Sequence, residues 1–155
     1  MDFDQILPNL YVGSHPHTSD DIDELKAAGV DAVLNVQSDD DCEHLGIDWS
    51  RLCAHYFALG LTTRRVQIQD FDDDDLRNRL PEAVRVLDEL LKEGHTVFVH
   101  CSAGVNRSPS VVICYLHWVQ GLELDEAENQ VRRCRSCSPV IEVIRLATRD
   151  RLRDR

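Results

Sequence analysis

The chain has 155 residues, 28 of them acidic and 17 basic, for a formal charge of −11 at pH 7. That length encloses one good hydrophobic core but not two, so a single domain spanning 1–155 must carry the whole function. An acidic surface of this kind repels nucleic acid and anionic membranes, and no apolar run is long enough to span a bilayer.

In chain order, residues 9–12 follow Pro8 and read as a short first strand, closed by Gly13 and the polar stretch 14–19. Thr18 or Ser19 can cap a helix over 20–28, which has acids in its first turn and Gly29 at its end. Residues 31–37 carry Ala32, Val33, Leu34 and Val36 in a buried-strand pattern, and 39–45 and 49–57 look helical. Val66 and Ile68 alternate with polar neighbours, which predicts a strand over 65–69. Leu80, Val84, Leu87, Leu90 and Leu91 recur at helical spacing over 76–91, with Pro81 near a helix start and Gly94 at the stop. Residues 96–100 form a strand buried on both faces, as in a largely parallel sheet. Three helices are then predicted over 108–120, 124–133 and 140–153. Strands alternating with helices, followed by a helical cluster, indicate an α/β sandwich around a central sheet.

The six cysteines lie at 42, 53, 101, 114, 134 and 137. With no secretory signal pattern at the start, a cytoplasmic monomer with reduced thiols is expected. Cys134 and Cys137 form a Cys-x-x-Cys pair, but a structural zinc site needs four ligands and no second pair completes it. They are read as two helix cysteines, with neither metal nor cofactor. Only Lys26 and Lys92 are lysines. With the acidic runs 39–41 and 72–75, that balance resembles proteins of salt-loving organisms, whose acidic faces stay solvated.

The segment His100-Cys101-Ser102-Ala103-Gly104-Val105-Asn106-Arg107-Ser108 lies between a buried strand and a helix, where an α/β sheet usually places a ligand site. Small residues with one glycine let the backbone of Ser102 to Asn106 curl so that successive amides point inward, and the following helix adds its positive N-terminal end. A dianionic phosphate fits such a cradle. The same field favours the thiolate of Cys101, the nucleophilic form. The planar fork of Arg107 can hold two phosphoryl oxygens, a geometry lysine lacks. A leaving oxygen needs a proton from a carboxylic acid on another loop. Asp70, directly after the strand expected to end at Gln69, is the choice, with Phe71 beside it to bury and orient that loop. Asp72 to Asp75 instead cap the helix that follows.

This segment resembles the active-site loop of the protein tyrosine phosphatase superfamily, His-Cys-x5-Arg-Ser/Thr. The resemblance implies that Ser108 hydrogen-bonds the thiolate and eases its departure, and that His100 orients the loop through the backbone instead of acting as a base. It also implies a three-layer sandwich with a mostly parallel sheet of about five strands. Dual-specificity phosphatases place their acid at about the separation of Asp70 from Cys101. The segments running from Phe71 to Pro81, Trp118 to Gly121 and Arg135 to Asp150, with Tyr11-Val12-Gly13-Ser14, resemble the plant starch-excess glucan phosphatases over nearly the whole chain, without a carbohydrate-binding module.

Two kinds of departure bear on substrate. Glucan phosphatases, laforin included, have glycine where this chain has Asn106. Their sugar-stacking aromatic positions correspond to His44, Leu45 and Ser138, which leaves only Phe71 of that platform. Sugar rings bind through flat apolar contact, so a glucan chain should be held weakly. The expected substrate is therefore a phosphoprotein, with phosphotyrosine and also phosphoserine or phosphothreonine, and phosphoglucan is the alternative. Inositol phosphates are disfavoured because Ser102 to Asn106 include no base. A silent phosphate-binding module would need neither Cys101 nor Asp70. In arsenate reductases, which use the same spacing, the loop opens the chain. Oxidation of Cys101 to a disulfide with Cys42, Cys53 or Cys114 is a further expectation.

Overall fold

The computed structural model describes residues 1–154. Five strands, β1 (Phe3–Leu7), β2 (Leu10–Gly13), β3 (Ala32–Asn35), β4 (Thr62–Arg65) and β5 (Val97–His100), form one sheet in the order β1-β2-β5-β3-β4. β2, β5, β3 and β4 run parallel, and β1 pairs antiparallel with β2 at the edge. The helices are α1 (Ser19–Ala27), α2 (Asp39–Leu45), α3 (Trp49–Ala58), α4 (Asp73–Lys92), α5 (Arg107–Trp118), α6 (Leu124–Cys134) and α7 (Ile141–Arg153).

The three layers follow from the period-two alternation of the central strands. Val97, Val99, Ala32 and Leu34 point into the larger core with Leu80, Leu87, Ile113 and Leu116 of α4 and α5. Phe98 and Val33 point to the opposite face and pack with Ile22, Leu25 and Tyr56 of α1 and α3. Full burial of each large side chain contributes about 1.5–3 kcal/mol. The parallel strands all end at one edge of the sheet, so Gly13, Asn35 and His100 deliver the segments that follow them to a common place.

Four expectations are corrected. β1 was not foreseen: it is short, and among its five residues Ile6 alone is fully buried, so its pattern is faint. The strand expected over 65–69 is the ladder Thr62–Arg65, an edge strand whose polar side chains hide its pairing with β3. Val66 and Ile68 are nonetheless buried, and their amides donate to Asn35 and Val36 carbonyls at 3.0 and 3.1 Å after the ladder ends. Pro81 lies inside α4, which begins at Asp73 behind the N-cap Asp72. The proline has no amide hydrogen, so Arg77 loses its helical partner there, while Leu80 and Val84 are buried on either side. Cys137 is buried in the loop beyond α6, not helical, while Cys134 ends that helix. Among the described residues no helix is long and apolar enough to cross a membrane, and no group of three His, Cys, Asp or Glu side chains could hold a metal ion.

Candidate active site

The loop 101–106 leaves β5 and enters α5 with Gly104 in the left-handed region at φ 69. All its carbonyls are taken by donors outside the curl. Cys101 O accepts from His100 Nδ1 at 3.0 Å, and Ser102 O from the His15 amide at 3.0 Å. Ala103 O and Gly104 O accept from the Arg135 guanidinium at 3.3 and 2.7 Å. Val105 O accepts from the Ser138 amide at 2.8 Å, and Asn106 O from the Ser110 amide at 2.9 Å. In a trans peptide the carbonyl and the next amide point in opposite directions, so outward carbonyls set the amides inward. The Gly104 amide donates to Cys101 Sγ at 3.2 Å, while those of Ser102, Ala103 and Val105 make no hydrogen bond among the described residues. An anion bound over the sulfur would meet these donors.

Ser108 Oγ lies 3.2 Å from Cys101 Sγ and 3.2 Å from the Gly13 carbonyl. Its single hydrogen serves two acceptors in turn: against a thiol it goes to Gly13, and against a thiolate it can swing to sulfur. His100 is fully buried and stacked on Phe98. Burial pushes its pKa down to about 4, so it is neutral near pH 7. With a carbonyl as its neighbour, Nδ1 carries the hydrogen, which leaves Nε2 bare and without a partner. That tautomer props the loop.

Arg107 is almost wholly buried, its side chain 3% exposed. Its Nη1 donates to Asp41 at 2.6 Å and to the Ile68 carbonyl at 2.9 Å, and its Nη2 donates to Asp41 at 3.2 Å. Asp70 stands 3.1 Å from Nη2. Asp41, 11% exposed, was not singled out in the sequence and was read only as part of an acidic surface run. Burial raises its pKa, but Arg107 and Ser38 outweigh that and hold it below the usual carboxylate range. The signal was present as Ser38-x-x-Asp41, a capping box directly after a buried strand: the Ser38 amide donates to Asp41 at 2.7 Å and the Asp41 amide to Ser38 Oγ at 3.3 Å. The carboxylate that starts α2 therefore also aims the arginine. Ser102 Oγ joins the network, donating to Asp41 at 3.2 Å and accepting from Gln37 Nε2 at 3.0 Å.

The neighbouring acids separate by partner. Asp72 caps α4 by accepting from the Asp75 amide at 2.9 Å, and Asp75 accepts from the Gln69 amide at 2.7 Å. Of the run 70–75, Asp70 is the carboxylate paired with Arg107, and its side chain is one-third exposed. Phe71 differs from expectation. It is 98% exposed and does not anchor the loop. Asp70 Oδ1 accepts from the Phe71 amide at 3.1 Å, and Phe71 itself lies in the left-handed region at φ 57 with its ring in solvent. The loop is instead anchored through the Asp75 bond to Gln69 and the Arg107 bond to Ile68. Phe71, Asp40, Glu43, His44 and Gln69 line a hollow of ≈ 580 Å³ beside Asp70. Asn106 turns its carboxamide oxygen away from the cradle, accepting from the Val140 amide at 3.1 Å and Ser110 Oγ at 3.3 Å. Leu45 lines a separate hollow with His15 and His55.

Residues 10–145 match the family model of the dual specificity phosphatase catalytic domain. The chain belongs to that family. It is 36% identical over 152 residues to the amyloplastic phosphoglucan phosphatase DSP4 of Castanea sativa, covering 97% of this chain and 40% of that protein. It is 32% identical over 132 residues to human dual specificity protein phosphatase 1, covering 85% of this chain and 32% of that protein. The chain thus spans less than half the length of these relatives. Among solved structures, the active form of Tk-PTP superposes with a TM-score of 0.76 at 25% identity, covering 96% of this chain and 94% of that one. Dual-specificity phosphatase domains of this fold are cysteine-dependent, and the five-stranded, mostly parallel α/β sheet agrees with the expected architecture.

Proposed function

We propose that the chain hydrolyses phosphomonoesters through a phosphocysteine intermediate, with phosphotyrosine and also phosphoserine or phosphothreonine of proteins as substrates. The observation that carries this reading is the convergence on one point of Cys101 Sγ, the loop amides, the Arg107 fork and Asp70. The Cys101 thiolate attacks phosphorus, so that the S–P bond forms while the ester P–O bond breaks. The departing oxygen keeps that electron pair and takes the proton of Asp70. Arg107 and the inward amides hold the equatorial oxygens as charge redistributes. Water then attacks the phosphocysteine with Asp70 now accepting its proton, and sulfur leaves as a thiolate that Ser108 stabilises. Asp70 must swing off Arg107 for the phosphoryl group to enter, so the ion pair is the resting arrangement.

Charge at the mouth bears on the choice of protein. Asp40, Asp41, Glu43 and Asp70 line the hollow beside Phe71, and Arg107 pairs with Asp41 and Asp70 while His44 alone of the lining is basic, so Asp40 and Glu43 should let a phosphopeptide flanked by basic residues enter more readily than an acidic one. The phosphoglucan reading has its own support in the fully exposed ring of Phe71 beside Asp70, a flat apolar face of the kind sugars stack on, and in the likeness to the chestnut enzyme. Asn106 does not weigh against that reading in the way its identity implied, because its side chain is spent on Val140. Phosphate release from a phosphotyrosine peptide, a phosphothreonine peptide and solubilised amylopectin, measured side by side, tests the proposal. Fastest turnover of a peptide is expected, and fastest turnover of amylopectin would replace it with the glucan reading.

A further inference from the structure

We infer that Arg135 is a positioning residue for the phosphate loop: it sets the inward aim of the Gly104 and Val105 amides by holding the Ala103 and Gly104 carbonyls from behind. This rests on the loop acting as the phosphate cradle. Arg135 follows α6 as its C-cap, with its side chain 5% exposed. Its Nε donates to Gly104 O at 2.7 Å and its Nη2 to Ala103 O at 3.3 Å. The peptide planes are rigid, so fixing Ala103 O outward points the Gly104 amide the opposite way, which is where it meets Cys101 Sγ at 3.2 Å. Fixing Gly104 O does the same for the Val105 amide, which has no partner among the described residues and is left for an oxyanion. The other carbonyls of the loop are held by backbone amides or by His100, so among the described residues Arg135 is the one long, flexible side chain that holds loop carbonyls.

A buried guanidinium needs counter-charge. Asp2 lies 2.6 Å from Nη2 and Asp4 3.0 Å from Nη1, so one counter-charge comes from the residue just before the edge strand β1 and the other from within it. The same strand backs the loop a second time. Gly13 packs so closely on Asp2 and Phe3 that a Cβ there would collide with them, and a Cβ on Gly104 would collide with Arg135 Nη2 and approach the Gly13 carbonyl carbon to 2.5 Å. The chain's first strand, the end of α6 and the phosphate loop are thus joined through one side chain that the reacting atoms never touch.

The test compares Arg135→Met and Arg135→Lys with the parent at a temperature where circular dichroism shows each fully folded. Methionine removes both carbonyl bonds. Lysine keeps the charge and its pairing with Asp2 and Asp4, but offers a single point where the fork had two directed donors. Competitive inhibition by inorganic phosphate is expected to weaken about tenfold or more in the methionine variant, and iodoacetate alkylation of Cys101 at mildly acidic pH to slow by a similar factor, because both report the amide field. The lysine variant should share most of that loss. Phosphate inhibition and alkylation within about twofold of the parent in a folded Arg135→Met would overturn the inference. So would parent values in Arg135→Lys, which would leave Arg135 with ion pairing alone. If the parent itself turned over no phosphomonoester while direct phosphate binding and alkylation changed in the variants as expected, the inference would stand and the catalytic reading would fall.

Discussion

Replacing Asp41 with asparagine removes the charge that aims Arg107 while leaving the shape of the side chain nearly unchanged. Asp41 contacts both terminal nitrogens of the fork, at 2.6 and 3.2 Å, with the two side chains 11% and 3% exposed. Breaking a buried ion pair typically costs about 3–5 kcal/mol. Here Arg107 keeps the Ile68 carbonyl at 2.9 Å and has Asp70 at 3.1 Å to turn to, so the expected stability loss is nearer 2 kcal/mol, roughly the worth of one charge-assisted hydrogen bond. The kinetic loss should be larger in proportion. Without Asp41, the arginine is drawn toward Asp70, which ties up the acid and rotates the fork off the phosphoryl oxygens, and a decrease of about 10²-fold in kcat/KM is expected, equivalent to about 2.7 kcal/mol. Asp41 has a lowered pKa in the fold, so its stabilisation is fully present above the unfolded carboxylate value of about 3.9 and is lost as pH falls through the lower folded value. The stability gap between parent and variant should therefore close in acid. Urea denaturation from pH 7 downward, with kcat/KM on an aryl phosphate, measures both. A variant within about threefold of the parent in kcat/KM would refute the aiming role of Asp41.

Asp70→Asn should slow esters with poor leaving groups by about 10²–10⁴-fold and activated aryl phosphates far less; equal slowing of both would move the acid elsewhere. Ser108→Ala should leave formation of the phosphoenzyme nearly intact but delay its hydrolysis, so that rapid mixing shows a burst of aryl alcohol followed by a slow phase; a fall in the burst rate itself would contradict that division. His100, with its pKa near 4 in the fold, is protonated in the unfolded chain below about pH 6.5 while still neutral when folded. Stability should consequently drop as pH falls from about 6.5 to 4, by roughly 3 kcal/mol in all, and His100→Asn, which keeps a donor, should flatten that slope in denaturation curves. Adding salt should reduce the preference for basic over acidic phosphopeptide flanks, which screened carboxylates at the mouth cannot sustain; a salt-independent preference would assign it to shape.

The central strands and the nucleophile loop were legible because each carries a dense local signal: Val97 to Val99 are apolar, and His100-Cys101 lead from them into a run of small residues with one glycine. Thr62 to Arg65 were not, since an edge strand pairs through its backbone while its side chains read as polar surface. Pro81 pointed to a helix start, yet the burial of Leu80 and Val84 around it carries α4 through the break. Asp70 was chosen for its place at the expected strand end and for Phe71 beside it; the structure puts it against Arg107, although Phe71 is exposed and gives no such support. Asp41 and Arg135 could not be chosen, because each is one charge among many in a chain rich in them, and their partners lie 66 residues away in Arg107 and at the opposite end of the chain in Asp2 and Asp4. Phe71 misled because apolar identity implies burial, whereas its backbone lies in the left-handed region with the ring 98% exposed.

The claim on which the rest depends is that the sulfur of Cys101 takes the phosphoryl group. The most direct measurement is the rate of aryl phosphate hydrolysis by Cys101→Ser, with folding verified by an unchanged thermal midpoint. A serine hydroxyl is a far poorer nucleophile toward phosphorus and a far poorer leaving group from it than a cysteine sulfur, so a loss of about 10⁴-fold or more is expected. Hydrolysis within about tenfold of the parent would show that another group does the chemistry.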